Sequence, residues 1–299
     1  MRKTTQLKTI LARRGATIAP GAANALFARV IEETGFEVAY ITGAGIANMQ
    51  LGVPDIGLTT LTEIADTVAA ISDVVALPLL VDADTGFGNA LNMRRTVRVL
   101  ERAGAAGVQI EDQVFPKKCG HFAGKDVIPL SEMVQKIRAA LDARHDQDFQ
   151  IVARTDARAI EGLDAAIARA HAFIEAGADA TFVEAPLDEA EIARIVRELP
   201  VPQVANVVFG GLTPDLGQDK LMRMGFGLVL YANASLQAAL RASQEVLSAL
   251  KRDGSLHAVA DKLADFKERQ RVVGKDTYDA LEKRYAVQSD AITGKGGRG

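Results

Sequence analysis

One cysteine, Cys119, stands in 299 residues, inside "VFPKKCGHFAG" at 114–124. Lys117 and Lys118 precede it, and His121 follows two positions later. A lone cysteine is most often an inert small hydrophobe. One flanked by lysines on a polar stretch is easier to ionise and can be positioned for proton transfer. His121 can add a further positive charge, or can be an ordinary loop histidine satisfied by its neighbours. A second set of chemical residues is mostly acidic. "DAD" holds Asp82 and Asp84, "IED" holds Glu111 and Asp112, "RTD" holds Arg154 and Asp156, "VEA" holds Glu184 and "VAN" holds Asn206. Each sits at the end of a short apolar run. Carboxylates gathered in one place repel strongly, and a divalent cation relieves that repulsion. All-oxygen ligands point to Mg²⁺ or Mn²⁺ rather than zinc. Taken singly, an acid of this set could equally cap a helix or pair with Arg94 or Arg95. The whole set is harder to explain that way.

The elements that must position these groups alternate strictly. Strand-like runs fall at 16–20, 38–42, 77–84, 107–112, 149–155, 180–185, 202–208 and 227–232. Most are apolar through their middle, as strands buried on both faces are. Amphipathic segments follow at 24–34, 61–75, 90–103, 131–144, 163–176, 188–199, 218–224 and 233–252. Gly35, Gly104, Gly177 and Gly225 fit the left-handed position after a helix, and Thr62 and Ser131 fit helix starts. Eight strand-helix units predict an α/β chain of the (β/α)8 barrel type over 1–254, with active groups at the carboxyl ends of the strands. A doubly wound sheet would carry a Gly-rich fingerprint after its first strand, and "APGAANALF" is not one. The alternation in "DAD" predicts Asp82 and Asp84 on one strand face. The connection after strand 4, about 113–130, far exceeds the usual ~2–6 residues and reads as a lid over substrate. Residues 255–299 read as a helical extension ending in a disordered tail, "TGKGGRG".

Composition narrows the function. Hydrophobic residues make up 48% and charged residues 24%, ordinary for a globular protein with a large core. With 35 basic and 38 acidic residues, no basic stripe and no Trp, nothing suggests a nucleic-acid partner. The single cysteine suits a reducing cytoplasm. The basic start "MRKTTQLKTILARRG" lacks a signal peptide's apolar core, and no run is long enough to span a membrane.

Together "DADTGFGNALN", "IEDQVFPKKCGH", "IVARTDAR" and "VEAP" resemble the isocitrate lyase and phosphoenolpyruvate mutase superfamily, over roughly residues 10–250. "KKCGH" resembles its lyase branch, which includes 2-methylisocitrate and 2,3-dimethylmalate lyases. The resemblance implies a barrel whose last helix is exchanged between subunits, in homotetramers built as dimers of dimers. It implies Asp82 as the direct Mg²⁺ ligand, Asp84 and Glu111 holding the metal through water, and Asp55 in the same acidic cluster. Tyr40, Thr42, Gly43 and Ala44 would hold the 2-oxo-acid half of a small carboxylic acid substrate. Arg154 would bind a carboxylate, with Glu184 and Asn206 lining the other side. Lys117, Cys119 and His121 would form a mobile catalytic loop. Cys119 would protonate the enolate left by C–C cleavage, and Tyr40 and Lys117 both stand as the first base.

Four activities remain open: a Mg²⁺-dependent C–C lyase, an oxaloacetate hydrolase or decarboxylase, a phosphonomutase, and a barrel that binds a 2-oxo acid without turnover. Intact "KKCGH" argues against the last two. Two departures from relatives bear on substrate. Phe209 stands where an acid is usual, and Gln237 where many carry Arg. Both remove charge from the quarter of the mouth expected to hold distal carboxylates, and the Phe209 ring would suit methyl groups. The expectation is an alkyl-substituted malate rather than a tricarboxylate.

Overall fold

The computed structural model describes residues 1–120 and 124–286. Two compact units are present, Met1–Ser248 and Ala249–Gly299.

In the first unit, α1 (Lys3–Ala12) buries Thr4, Leu7, Ile10 and Leu11, one face of a helix. The alternating strands and helices follow: β1 (Thr17–Ala22), α2 (Ala25–Glu33), β2 (Ala39–Ile41), α3 (Gly43–Ile46), then a π-helical turn at Ala47–Leu51 and α4 (Leu61–Ser72). Next come β3 (Leu79–Asp82), α5 (Ala90–Arg102), β4 (Gly107–Glu111), α6 (Leu130–Ala143), β5 (Gln150–Thr155), α7 (Arg158–Glu161) and α8 (Leu163–Glu175). The unit continues through β6 (Ala180–Val183), α9 (Glu189–Glu198), β7 (Val204–Asn206), α10 (Gln218–Met224), β8 (Leu228–Tyr231) and most of α11 (Ala234–Asp253). The second unit holds the end of α11, a 3-10 turn at His257–Lys262, α12 (Phe266–Val272) and α13 (Lys275–Tyr285). The expected disordered tail lies outside the described residues.

All eight strands are parallel, in the order β6-β5-β4-β3-β2-β1-β8-β7. The sheet curls back on itself at Thr181 and Gln203, where an isolated bridge joins the β6 and β7 sides and Thr181 Oγ1 donates to Gln203 Oε1 at 2.9 Å. This is the expected (β/α)8 barrel. Leu80, Tyr40, Val152, Phe182, Leu228 and Leu230 pack as one buried cluster, joined by Leu7, Ile10 and Leu11 of α1. A second cluster holds Ile41, Val81, Ile110, Ile151 and Ala153 against Ile64, Val68, Met93, Val97 and Ile137 of the surrounding helices. The two clusters take alternate residues of β2, β3 and β5, so Asp82 and Arg154 continue the inward rows, and Glu111 joins them opposite Arg154.

The glycines expected to end helices do so, with φ near +92° at Gly35 and +97° at Gly225. Two helix starts differ from expectation. Thr60, not Thr62, caps α4, in a reciprocal capping box with Glu63. Pro129, not Ser131, precedes α6, where its missing N–H removes no helical hydrogen bond.

Candidate active site

The strand register brings the charges together. Glu111 of β4 lies opposite Arg154 of β5, and Arg154 opposite Phe182 of β6. Arg154 Nη1 is 3.4 Å from Glu111 Oε2 and 3.3 Å from Glu184 Oε2. Its Nε and Nη2 donate to both oxygens of Asp156, at 2.9 and 3.0 Å. The guanidinium carbon lies 5.2 Å from the centre of the Phe182 ring. All these charged groups are buried, so unpaired they would each cost several kcal/mol. Burial works against the charged forms, but the carboxylates of Asp156, Glu184 and Glu111 hold the guanidinium well above its usual value.

Asp82 and Asp84 do converge, though not by strand alternation. β3 ends at Asp82, and Asp84 sits in the left-handed region at φ +47°. Asp84 N donates to Asp82 Oδ1 at 3.2 Å, while Gly43 N donates to Asp82 Oδ2 at 3.4 Å. A Cβ on Gly43 would stand 3.1 Å from Asp82 Oδ2 and 3.3 Å from Asp84 Oδ1. Both carboxylates therefore face the same small space over Gly43. Lys117 Nζ enters from the loop after β4, 2.5 Å from Asp55 and 2.9 Å from Asp84. Burial opposes its charge, yet Asp84, Glu111, Asp82 and Asp55 outweigh burial and hold the ammonium well above the ordinary lysine value. Burial, only partly offset by Lys117, pushes Asp84 up to about 6. Burial likewise raises Glu111 well above the carboxylate range, against the pull of Arg154 and Lys117.

Whether these residues suit a metal follows from their atoms. Among the described residues, no three His, Cys, Asp or Glu side chains already form a metal cage. The donor set is nevertheless all carboxylate, with Asp82 and Asp84 converging and Glu111 Oε1 buried without a hydrogen-bond partner among the described residues. That is the chemistry of a hard divalent cation.

Tyr40, Thr42, Ala44, Asp55, Asp82, Lys117, Cys119, Arg154 and Asn206 line one cavity of about 40 Å³, with Lys118, Gly120, Phe182, Val208, Ala232 and Asn233. Tyr40 Oη donates to Gln109 Oε1 at 2.6 Å, and burial followed by the charge of Asp82 raises the phenol well above its usual value. Thr42 Oγ1 accepts from Gly45 N at 3.1 Å, capping α3. Glu111, Asp84, Gly43 and Glu184 stand just behind the lining. His121 lies outside the described residues. Cys119 is fixed through its backbone, its N–H donating to the Asp55 carbonyl at 3.1 Å.

Two sequence-based positions are corrected. The Phe209 ring is 88% exposed and does not line the cavity. Gln237 is also outside it, its amide donating to the Phe209 carbonyl at 3.2 Å. The β7–β8 side is instead neutral through Asn206, Val208, Ala232 and Asn233. Three polar residues escaped the sequence reading. Gln109 lies in the middle of an apolar strand, Lys125 sits far along the loop from Cys119, and Asn233 follows β8 with no charge to mark it. Asp156 was visible at a strand end but had no role.

Residues 7–251 match the phosphoenolpyruvate phosphomutase family. The chain is 42% identical to 2,3-dimethylmalate lyase of Eubacterium barkeri over 287 residues, 96% of this chain and 99% of that protein. It is 43% identical to a chloroplastic carboxyvinyl-carboxyphosphonate phosphorylmutase of Arabidopsis thaliana (96% and 86% covered) and 44% identical to 2-methylisocitrate lyase of Aeropyrum pernix (95% and 90%). Among solved structures it resembles oxaloacetate acetylhydrolase bound to 3,3-difluorooxalacetate, with TM-score 0.90, 31% identity and 96% and 98% of the chains covered. 2,3-Dimethylmalate lyase also gives TM-score 0.90, with 32% identity and 100% and 99% covered. Phosphonopyruvate hydrolase bound to oxalate and Mg²⁺ gives 0.86, with 32% identity and 95% and 99% covered.

Proposed function

The chain belongs to the phosphoenolpyruvate mutase and isocitrate lyase superfamily, and from that footing we propose that it is a Mg²⁺- or Mn²⁺-dependent lyase. It splits a 2-hydroxy dicarboxylate into a 2-oxo acid and a second carboxylic acid. The observation that carries this reading is Cys119 sharing one cavity with Asp82, Lys117 and Arg154. A thiol proton, an acidic metal-type cluster and a carboxylate-binding guanidinium there stand together.

Asp82, Asp84 and Glu111 would hold the cation, Asp82 directly. When bound, the cation lowers the pKa of the substrate hydroxyl and polarises the forming carbonyl. The chain's residues do the rest. Arg154 and the backbone around Thr42–Ala44 orient the 2-hydroxy-acid end. Lys117 and Tyr40 line the cavity beside Asp82, and both stand as the first base. One of these two groups takes the hydroxyl proton, and the oxygen's electrons form the C=O as the adjacent C–C bond breaks. The bond's electrons pass to the carbon beside the second carboxylate, giving an enolate. Cys119 delivers a proton to that carbon.

The free volume, about 40 Å³, holds only a few waters at ~10–15 Å³ each, so substrate enters with the cysteine loop displaced. On the β7–β8 side the described lining residues, Asn206, Val208, Ala232 and Asn233, offer no cation for a third carboxylate. Lys118, at the rim, donates to the Gly124 carbonyl at 2.6 Å. We therefore favour 2,3-dimethylmalate over 2-methylisocitrate as substrate. The same reading carries a cytoplasmic homotetramer built from dimers.

The structural likeness to oxaloacetate acetylhydrolase supports a second reading, hydrolysis of oxaloacetate. The test is a panel of 2-hydroxy and 2-oxo diacids with Mg²⁺, scored for pyruvate and for oxalate. Pyruvate with a second acid supports the lyase. Oxalate from oxaloacetate alone replaces it with the hydrolase.

A further inference from the structure

The loop that carries Cys119 meets the barrel at two points that none of the roles above uses. Lys125 is buried, with its ammonium 2.9 Å from Asp156 Oδ1. The same Nζ donates to the Gly120 carbonyl, next to Cys119. Asp156 Oδ1 thus accepts from Lys125 and from Arg154 Nη2 together. The second point is Gly120 itself. A Cβ there would come within 2.5 Å of Arg154 Nη2 and 2.7 Å of Glu184 Cδ. Side-chain ends can often yield to such a clash. Here the guanidinium is forked onto Asp156 and flanked by Glu111 and Glu184, so it has little room to move.

We propose that Lys125 and Gly120 form the seat of the cysteine loop on the Arg154–Asp156 cluster. Lys125 is a positioning residue: it fixes Gly120, and through Gly120 the adjacent Cys119, while bracing Asp156 behind Arg154. Its charge makes the seat selective. A buried ammonium is tolerated only when paired, and its partners Asp156 and the Gly120 carbonyl are both present only when the loop is down. Gly120 supplies the clearance that lets the backbone lie on the guanidinium. A side chain there would hold the loop off.

This rests on the site reading above, but its test needs no substrate. Cys119 is the only cysteine in the chain, so its alkylation by iodoacetamide reports access to the loop directly. In the full-length protein, Lys125→Met and Gly120→Ala should each speed alkylation by roughly tenfold or more, and Lys125→Arg should stay within about threefold of wild type. Removing a cation near the thiol would by itself slow the reaction, so acceleration reads access. Where the panel yields pyruvate, Lys125→Met should lower kcat more than it raises KM. Circular dichroism and a melting curve establish that each variant is folded, and if Lys125→Met does not fold, Gly120→Ala carries the test alone. Alkylation within twofold of wild type in a folded Gly120→Ala or Lys125→Met variant overturns the seat. Accelerated alkylation in a protein that makes no pyruvate leaves the seat standing and removes the lyase reading instead.

Discussion

The two halves of the barrel mouth are built on opposite terms. On the β3–β6 side, Asp82, Glu111, Arg154 and Glu184 are all buried, and Lys117 and Lys125 come from the loop to join them. On the β7–β8 side, the cavity is walled by Asn206, Val208, Ala232 and Asn233. Buried charges are expensive, and a dense cluster of them destabilises a fold unless each is compensated. On the proposed function, residues kept at that cost would serve the part of the reaction common to all substrates: metal, hydroxyl and first carboxylate. The neutral half has no such cost and, on the same proposal, would set what the rest of the substrate must be. Asn206 Oδ1 and Asn233 Oδ1 are buried there without hydrogen-bond partners among the described residues, which leaves two acceptors for a ligand's donors.

If this contrast is right, damage to the charged half stops the chemistry, whereas damage to the neutral half shifts substrate choice. The largest effect should come from chelation. Excess EDTA should abolish turnover and Mg²⁺ or Mn²⁺ restore it, with Asp82→Asn needing more metal than Asp84→Asn to recover. Full activity in chelator would separate the acids from any metal role. Next comes Cys119→Ser, whose hydroxyl is far too weak an acid to replace the thiol. Turnover should fall by roughly 10²–10⁴-fold with substrate binding largely kept. Near-normal turnover would take Cys119 out of the mechanism.

In the neutral half, Asn233→Leu should raise KM for a dicarboxylate by about 2–12-fold, the equivalent of one hydrogen bond worth about 0.5–1.5 kcal/mol. kcat should hardly change. A fall in kcat with unaltered KM would place Asn233 in the chemical step and blur the division between the halves. The smallest effect belongs to Phe209→Ala. With the ring on the surface, kcat/KM for 2,3-dimethylmalate should stay within about twofold, as surface substitutions usually do little. A loss of tenfold or more would mean that the ring turns inward when substrate binds.

The same contrast governs how much was readable in advance. All eight strands and the main helix after each could be placed from apolar runs and periodicity, because burial on both strand faces leaves a dense signal. α1 escaped because its polar face dominates "KTTQLKTILA". α3 and the π-helical turn escaped because "GAGIANMQ" is rich in glycine and looks like loop. Within the site, Asp82, Glu111 and Arg154 were visible as charges ending apolar strands. Lys125 was one lysine among many until the fold laid it against Asp156, and Gly120 gains its meaning only from the guanidinium above it. Phe209 failed in the other direction. Its position after β7 suggested the cavity, but the backbone beyond Asn206 carries it outward, a local path that neither apolar periodicity nor turn residues specify.

The central claim is cleavage of a C–C bond followed by protonation of the released enolate. It can be tested in one tube, with 2,3-dimethylmalate and Mg²⁺ in D₂O and the products followed by NMR. Cleavage between the hydroxyl-bearing carbon and its methyl-bearing neighbour must give pyruvate and propionate. The account predicts the two in equal amounts, with one deuterium at the propionate carbon next to the carboxylate. 2,3-Dimethylmalate left uncleaved, or propionate released without deuterium at that carbon, would contradict it.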